Sequence, residues 1–362
     1  MVRKRMTIIW VSSVILGMAS LYVSHRMRNY LNWIVFALLL LLMSCNNFCI
    51  DEMNILHSYQ VNDFSKEVFL FNALMSTGRV LKLPFGWFNF FTIMIALAVI
   101  TSALKSFTSN WGFVLGLYSL ASAILDISLF RQFIASSVIV LGLRYLVIEN
   151  NVIKYIFSVI VAMCIHTSMI IYIIFAIAGL KQAKKTIFLI DIGTALYIAA
   201  TLLNGRIPPG IRLISKVINT NGRLEWYIQS AAGGLGWLYP LSWWVLSMVL
   251  SCTAWKSVST ELSPKEKKWL LKIYQINQLS FVFMPLCLIY MVSFSRLYRP
   301  LIWIQLLTIV IARQSRKNGR ATKLQTIVLS TYIVWYFFSF NYLIYDWNEV
   351  VLKILNGTMF FT

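Results

Sequence analysis

Two residues within an apolar part of the chain could carry chemistry. Arg131, followed by Gln132, opens an apolar run shortly after Asp126, and His166 interrupts a later one. An arginine is a permanent cation whose planar fork binds phosphate oxygens through paired hydrogen bonds. An imidazole titrates near neutral pH and can therefore transfer a proton. Together the two residue types indicate an anion-binding group beside a proton-transfer group.

Both residues also have structural explanations, which the sequence leaves open. Arg131 could snorkel to a membrane interface or pair with Asp126, and His166 could be a packing residue with satisfied hydrogen bonds. As a functional residue, His166 could be a general base, a proton relay or a phosphate ligand.

The elements that must hold these residues are membrane helices. The chain is 59% hydrophobic and 12% charged, whereas soluble proteins carry about 25% charged residues. A soluble enzyme, a secreted disulfide scaffold and a disordered chain are therefore excluded. Apolar runs of about 20 residues recur throughout, and the short alternating segments of a β-barrel are absent. We predict an all-α polytopic integral membrane protein.

The apolar runs predict about 11–12 transmembrane or half-membrane helices in a single transmembrane domain over residues 1–362. The first run is interpreted as a span, since no small-residue cleavage site closes it. The runs cover residues 7–23, 31–45, 87–104, 111–126, 132–148, 152–178, 186–203, 235–254, 273–294, 298–312 and 324–345.

Two longer segments, 46–86 and 204–234, are predicted to lie outside. The first contains Asp51 and Glu67, and its apolar stripe from Val68 to Leu83 is typical of a helix lying in the interface. The second is a basic loop broken by prolines and glycines. Its candidate site residues are Arg206, Arg212, Arg223 and, as platforms for sugar rings, Trp226 and Tyr227.

Loop charge predicts the orientation. Of the net charge of 32 − 12 = +20, much lies in segments 256–272 and 313–323, which the positive-inside rule places in the cytoplasm. That puts 204–234 and the tail 346–362 outside. No soluble basic domain is present, so we expect no nucleic-acid partner.

Residues 152–178 decide on which side Arg131 lies. If they form one continuous span, Arg131 lies on the cytoplasmic side. Two short helices meeting near His166 would put it outside, with the other arginines, and we choose this topology for that reason. Each arm would span about 21 Å at 1.5 Å per residue, less than a core of about 30 Å. The tip must then line a protein-walled cavity.

The motifs of residues 51–180 match a known pattern. Arg131-Gln132 opens a span, a basic-polar loop follows, and a short span ends in His166-x-Ser168. Earlier come an acid–aromatic segment with Asp51, then Lys66-Glu67-Val68-Phe69 and a helix running into a span. This arrangement resembles the EpsG-like family of Wzy-type polysaccharide polymerases. The C-terminal half is similar in layout, including Arg296 and Arg299 before a span.

The resemblance implies a glycosyltransferase that joins polyprenyl-diphosphate-linked oligosaccharide repeat units and releases polyprenyl diphosphate. It implies no cofactor and no metal, and the five cysteines are interpreted mainly as small apolar residues. The expected location is the bacterial cytoplasmic membrane, with the active site facing outside. Expected partners are the lipid-linked glycan donor and acceptor, the bilayer and a chain-length regulator protein.

The implied reaction assigns roles to the candidate residues. A leaving diphosphate needs fixed cations, and an attacking sugar hydroxyl needs a base. We expect His166 to be the base, with Glu67 and Asp51 as the alternatives. The expected substrate ligands are Arg131, Gln132, Arg206, Arg212, Arg223, Arg296 and Arg299.

Two other functions compete with polymerisation. A flippase for lipid-linked oligosaccharide would require repeats with broken helices in matching positions, and no such pairing is visible. A membrane acyltransferase that modifies sugars would place an arginine and a histidine near the first spans. The only early histidine is His25, in a short polar loop, and the residues around it do not match that signature.

The predicted orientation can be checked by cysteine labelling. A cysteine introduced at Asn221, in a chain whose native cysteines are replaced, should react with an impermeant maleimide in intact cells, because segment 204–234 is predicted outside. Labelling only after membrane disruption would show that the orientation is inverted.

Overall fold

The computed structural model of the protein is helical and describes residues 5–45, 52–61, 68–210, 236–258, 263–289, 294–314, 320–339 and 347–356. Within these ranges no strand occurs. The prediction of an all-α protein is therefore confirmed.

Fifteen helices, numbered α1 to α15, follow one another along the described chain. They are α1 Arg5–Ala19, α2 His25–Ser44, α3 Glu52–Val61, α4 Phe69–Val80, α5 Phe85–Lys105, α6 Trp111–Ile127, α7 Phe130–Glu149, α8 Val152–Met163, α9 Ala183–Leu203, α10 Leu238–Val258, α11 Pro264–Leu279, α12 Met284–Ile289, α13 Ile302–Gln314, α14 Arg320–Phe338 and α15 Leu352–Leu355. Three 3₁₀ segments, Thr167–Gly179, Ser280–Phe283 and Ser295–Leu301, lie between them, and a π-helical turn, Trp347–Val351, precedes α15.

Four helices in the described residues, α2, α5, α7 and α9, are long and apolar enough to cross a membrane. Shorter apolar helices, among them α1, α6, α8 and the 3₁₀ helix Thr167–Gly179, accompany them. Lengths near 20 residues suit a hydrocarbon core of about 30 Å. The chain is a polytopic membrane protein, as its composition predicts.

Helix α11 begins at Pro264, well before the predicted apolar run at 273. Ser263 and Glu266 form a capping box: the Ser263 hydroxyl accepts the Glu266 backbone N–H, and the Glu266 carboxylate accepts the Ser263 backbone N–H. Such a box, with proline at the first helical position, starts a helix irrespective of apolar periodicity.

The end of α7 is anchored to α11 through Lys272. This lysine, predicted in a cytoplasmic loop, is 5% exposed. Its Nζ donates to the Leu146 carbonyl at 2.8 Å and to the Asn150 side chain. A cation at a helix C-terminus is electrostatically favourable because the last carbonyls carry partial negative charge. The turn from α7 to α8 therefore lies beside the basic helix α11.

The chain reverses at His166, and the break predicted there is present. Helix α8 ends at Met163, and the 3₁₀ helix Thr167–Gly179 returns beside it. The two arms are joined by the Tyr155 hydroxyl, which donates to the Tyr172 carbonyl at 2.5 Å. A 3₁₀ helix rises about 2.0 Å per residue, so the returning arm extends about 26 Å. The length of about 21 Å expected for an α-helical arm is wrong for this one.

A buried ion pair ties α6 to the 3₁₀ segment Ser295–Leu301. Arg299 Nη2 lies 2.9 Å from Asp126 Oδ1, and the Arg299 side chain is 2% exposed. The Asp126 carboxylate also accepts the hydroxyls of Ser122, at 3.0 Å, and Tyr118. Arg299 Nη2 also donates to the Ser122 carbonyl at 3.3 Å. Both charges are thus removed from solvent together with hydrogen-bond partners.

The ion pair predicts a large stability difference between two carboxylate variants. Asp126→Asn should lower the free energy of unfolding by about 3–5 kcal/mol, because it leaves a buried cation without its carboxylate. Glu149→Gln is the matched control, because it removes a partly exposed carboxylate paired with Arg144 at 3.2 Å and Lys154 at 2.9 Å. That change should cost about 1 kcal/mol or less.

Unfolding of the purified protein in detergent micelles measures both effects. The double variant Asp126→Asn, Arg299→Met should recover part of the loss, since it removes the cation as well. Equal stability of Asp126→Asn and Glu149→Gln would contradict a stabilising role for the buried pair.

Candidate functional site

Helix α4 covers the turn at His166. Phe71, Met75 and Gly78 are buried at helical spacing, whereas Phe69 and Val80 are each 80% exposed. The predicted apolar stripe is therefore divided between a packed face and an exposed one. The Leu70 backbone N–H donates to the Cys164 carbonyl at 2.9 Å. This bond joins the start of α4 to the turn that holds His166.

His166 is held by its own backbone and by Ser168. Its N–H donates to the Ala162 carbonyl at 2.9 Å, and its carbonyl accepts the Met169 N–H at 3.0 Å. The Ser168 hydroxyl lies 2.8 Å from His166 Nδ1 and hydrogen-bonds to it. One ring nitrogen is thus engaged within the turn, and this bond fixes the orientation of the imidazole ring.

Two arginines lie near this imidazole. Arg131, in the first turn of α7, places its guanidinium carbon 5.8 Å from the centre of the buried Phe71 ring. Arg296 lies on the 3₁₀ segment Ser295–Leu301, whose backbone is bound by the Gln132 amide. Both guanidinium groups act electrostatically on His166. We call Arg131, His166 and Arg296 the arginine–histidine cluster.

The cluster keeps the imidazole neutral. His166 lies in the turn that connects α8 to the 3₁₀ helix Thr167–Gly179 and belongs to neither helix. Burial, then Arg131 and then Arg296 lower the pKa of His166 from 6.5 to about 4. Burial disfavours the charged form, and a nearby cation repels a second positive charge. Near neutral pH the site therefore combines two permanent cations with an uncharged proton acceptor.

The other predicted ligands have different positions. Arg299 is buried against Asp126 in the core, so its described contacts are structural. Arg206 follows α9 in a turn, at a φ of +69°, with its backbone N–H donating to the Thr201 carbonyl at 2.8 Å. A substrate role for either residue stays a prediction. Asp51, Glu67, Arg212, Arg223, Trp226 and Tyr227 lie outside the described residues.

Sequence reasoning missed two contacts of the site. Ser168 forms part of the resembling motif, but its bond to the imidazole follows only from the sharp turn at His166. In the sequence, Phe71 is one apolar residue among several in the stripe from Val68 to Leu83. Only the packing of α4 places its ring near Arg131. Among the described residues no group of His, Cys, Asp and Glu side chains could hold a metal ion.

Fold and cluster together define a class: a polytopic helical membrane protein in which two guanidinium groups act on a neutral imidazole, an arrangement suited to an anionic ligand. The chain belongs to the EpsG family, whose sequence model matches residues 51–351, well over half of its length. This is a family of Wzy-like polysaccharide polymerases. No curated protein and no solved structure matches the chain.

The electrostatics of the cluster can be measured directly. In protein labelled with ¹⁵N-histidine, His166 should titrate with a pKa of about 4. Arg296→Ala should raise this pKa, because one of the two repelling cations is removed. Arg28→Ala is the control, since that guanidinium contacts the Ser20 and Val23 carbonyls, and should leave the pKa unchanged. A His166 pKa near 6.5 in the unmodified protein would contradict the cluster.

Proposed function

We propose that the protein joins polyprenyl-diphosphate-linked oligosaccharide repeat units into a bacterial cell-surface polysaccharide and releases polyprenyl diphosphate. The observation that carries this proposal is the arginine–histidine cluster, in which the guanidinium groups of Arg131 and Arg296 act electrostatically on a neutral His166. The anionic diphosphate of the donor requires cations, and the acceptor hydroxyl requires a proton acceptor. Membership of the EpsG family supports the same chemistry.

The cluster faces the outside of the cytoplasmic membrane in this proposal. His166 lies at the tip of the α8 hairpin, whereas the turn at Asn150, at the base, contacts Lys272 of the basic helix α11. Helix α11 also carries Lys265, Lys267 and Lys268 in its first turns. Because lysine-rich ends remain in the cytoplasm, the opposite end of the hairpin reaches the external side, where a lipid-linked acceptor is available.

In the reaction, Arg131 and Arg296 hold the donor diphosphate. The acceptor oxygen attacks the anomeric carbon, a new C–O bond forms, and the bond from that carbon to the diphosphate oxygen breaks. Charge-assisted hydrogen bonds from guanidinium groups stabilise the negative charge that develops on the leaving diphosphate. His166 accepts the proton that the acceptor hydroxyl loses. Glu67 and Asp51 are the alternative bases.

Several finer features belong to the proposal as well. The donor and the acceptor are both lipid-linked glycans that enter from the bilayer, and a chain-length regulator protein is a further expected partner. Arg206, Arg212 and Arg223, which belong to the predicted external segment, are proposed to contact the glycan or diphosphate of a second lipid-linked unit.

Substitutions in the cluster test the division of labour. His166→Ala should lower the polymerisation rate by about 10²–10⁴-fold, the usual contribution of a general base, and leave donor binding intact. Arg131→Ala should abolish donor binding. Arg131→Lys should be impaired, because it keeps the charge but loses the planar fork. The measurements are chain length on a gel and donor binding, with purified protein and lipid-linked repeat unit.

Controls separate these roles from folding and from each other. Each variant must be present in the membrane at the normal level, and Arg28→Ala, which removes an arginine elsewhere, should polymerise normally. Near-normal chain length in Arg131→Ala would refute the diphosphate role. Loss of donor binding in His166→Ala would make His166 a donor ligand, and the base would then be sought at Glu67 or Asp51.

A further inference from the structure

The 3₁₀ segment Ser295–Leu301, which carries Arg296, is held through its backbone by other helices. Gln132 Nε2 of α7 donates to the Arg296 carbonyl at 2.9 Å. The Tyr172 hydroxyl of the returning hairpin arm donates to the next carbonyl, that of Leu297, at 2.5 Å. Two adjacent carbonyls of the segment are thus bound by side chains from two different elements.

The two donor side chains, those of Gln132 and Tyr172, are themselves held in place. Gln132 is 7% exposed and lies one residue after Arg131. Tyr172 is fully buried, and its own carbonyl accepts the Tyr155 hydroxyl at 2.5 Å. Rigid, buried donors hold a backbone more tightly than exposed ones, because they have no rotameric freedom left to lose.

We propose that Gln132 and Tyr172 are positioning residues, which fix the backbone of Arg296 so that its guanidinium stays beside His166. This inference rests on the proposed function and changes the role that the sequence predicts for Gln132. The sequence predicts Gln132 as a substrate ligand, whereas its amide nitrogen is bound to the Arg296 carbonyl.

The position of Arg296 needs such support for a physical reason. A 3₁₀ helix has poorer hydrogen-bond geometry than an α-helix and rarely persists beyond 3–4 residues, and Pro300 lacks a backbone donor within this segment. Arg299 is anchored separately by Asp126. A displacement of about 1 Å at a group that stabilises the transition state can cost about 10²-fold in rate.

A double-mutant cycle on polymerisation distinguishes positioning from direct contact. Gln132→Leu should lower the rate by about 10-fold or more in the unmodified protein. In an Arg296→Ala background it should have almost no further effect, because the group that it positions is absent. Full additivity of the two losses would overturn the proposal and make Gln132 a substrate ligand. Tyr172→Phe should show the same dependence on Arg296.

A second readout does not depend on catalysis. Release of Arg296 should raise the pKa of His166 in both Gln132→Leu and Tyr172→Phe, towards the value in Arg296→Ala, as measured by ¹⁵N-histidine NMR. Gln305→Leu is the matched control, since it removes a buried amide that pairs with Asn277, and should leave this pKa unchanged.

The two readouts separate failure of the inference from failure of the proposed function. If the unmodified protein does not polymerise lipid-linked repeat units but the variants shift the pKa of His166, the proposed function fails and the positioning role stands. If polymerisation occurs and neither variant shifts that pKa, the positioning role is overturned and the proposed function is unaffected.

Discussion

The buried ion pair between Asp126 and Arg299 is the interaction on which the rest of the site depends. It joins α6 to the 3₁₀ segment Ser295–Leu301, two parts of the chain that are far apart in sequence. An unpaired charge in a membrane interior is costly, so each partner specifies the other. Once Arg299 is fixed, the backbone three residues earlier is held at the start of α7, where Gln132 binds the Arg296 carbonyl. The Asp126–Arg299 pair thus helps to determine where the cluster can form.

The hairpin formed by α8 and the 3₁₀ helix Thr167–Gly179 must extend far enough across the membrane to place His166 near the two arginines. A single span through residues 152–178 would place Arg131 on the opposite side of the membrane from the other arginines, whereas a turn at His166 keeps them on one side. Thirteen residues from Thr167 to Gly179 would rise about 20 Å as an α-helix but about 26 Å as a 3₁₀ helix. The weaker geometry of the 3₁₀ arm is supported by tyrosine hydroxyls, which bind the Tyr172 and Leu297 carbonyls. The bond from the Tyr172 hydroxyl to the Leu297 carbonyl also connects the hairpin to the segment of Arg296.

Apolar patterning was sufficient for the membrane helices, since burial in lipid and in the core both demand long apolar runs. The break at His166 did not follow from apolar patterning, since the run 152–178 is continuous. It followed from the choice of a topology that keeps Arg131 on the same side as the other arginines. Apolar patterning failed where local or long-range contacts determine the structure. The start of α11 was set by the capping box of Ser263 and Glu266, which the apolar pattern does not register. The partner of Asp126 and the partner of the Gln132 amide depend on tertiary packing, which no spacing encodes.

The low pKa of His166 has a consequence for the proposed reaction. Because it is buried and has Arg131 and Arg296 nearby, the His166 imidazole is a weak base. A bound diphosphate places negative charge on those arginines, which reduces their repulsion of an added proton and so raises the pKa of the imidazole. By linkage, the donor strengthens the base and a protonated base strengthens donor binding by the same factor. The acceptor hydroxyl is then activated chiefly when a donor occupies the site, and the proton that it loses stabilises the departing diphosphate. In the proposed reaction, a cluster of two cations and one histidine would therefore favour donor binding before proton transfer, without requiring a conformational change.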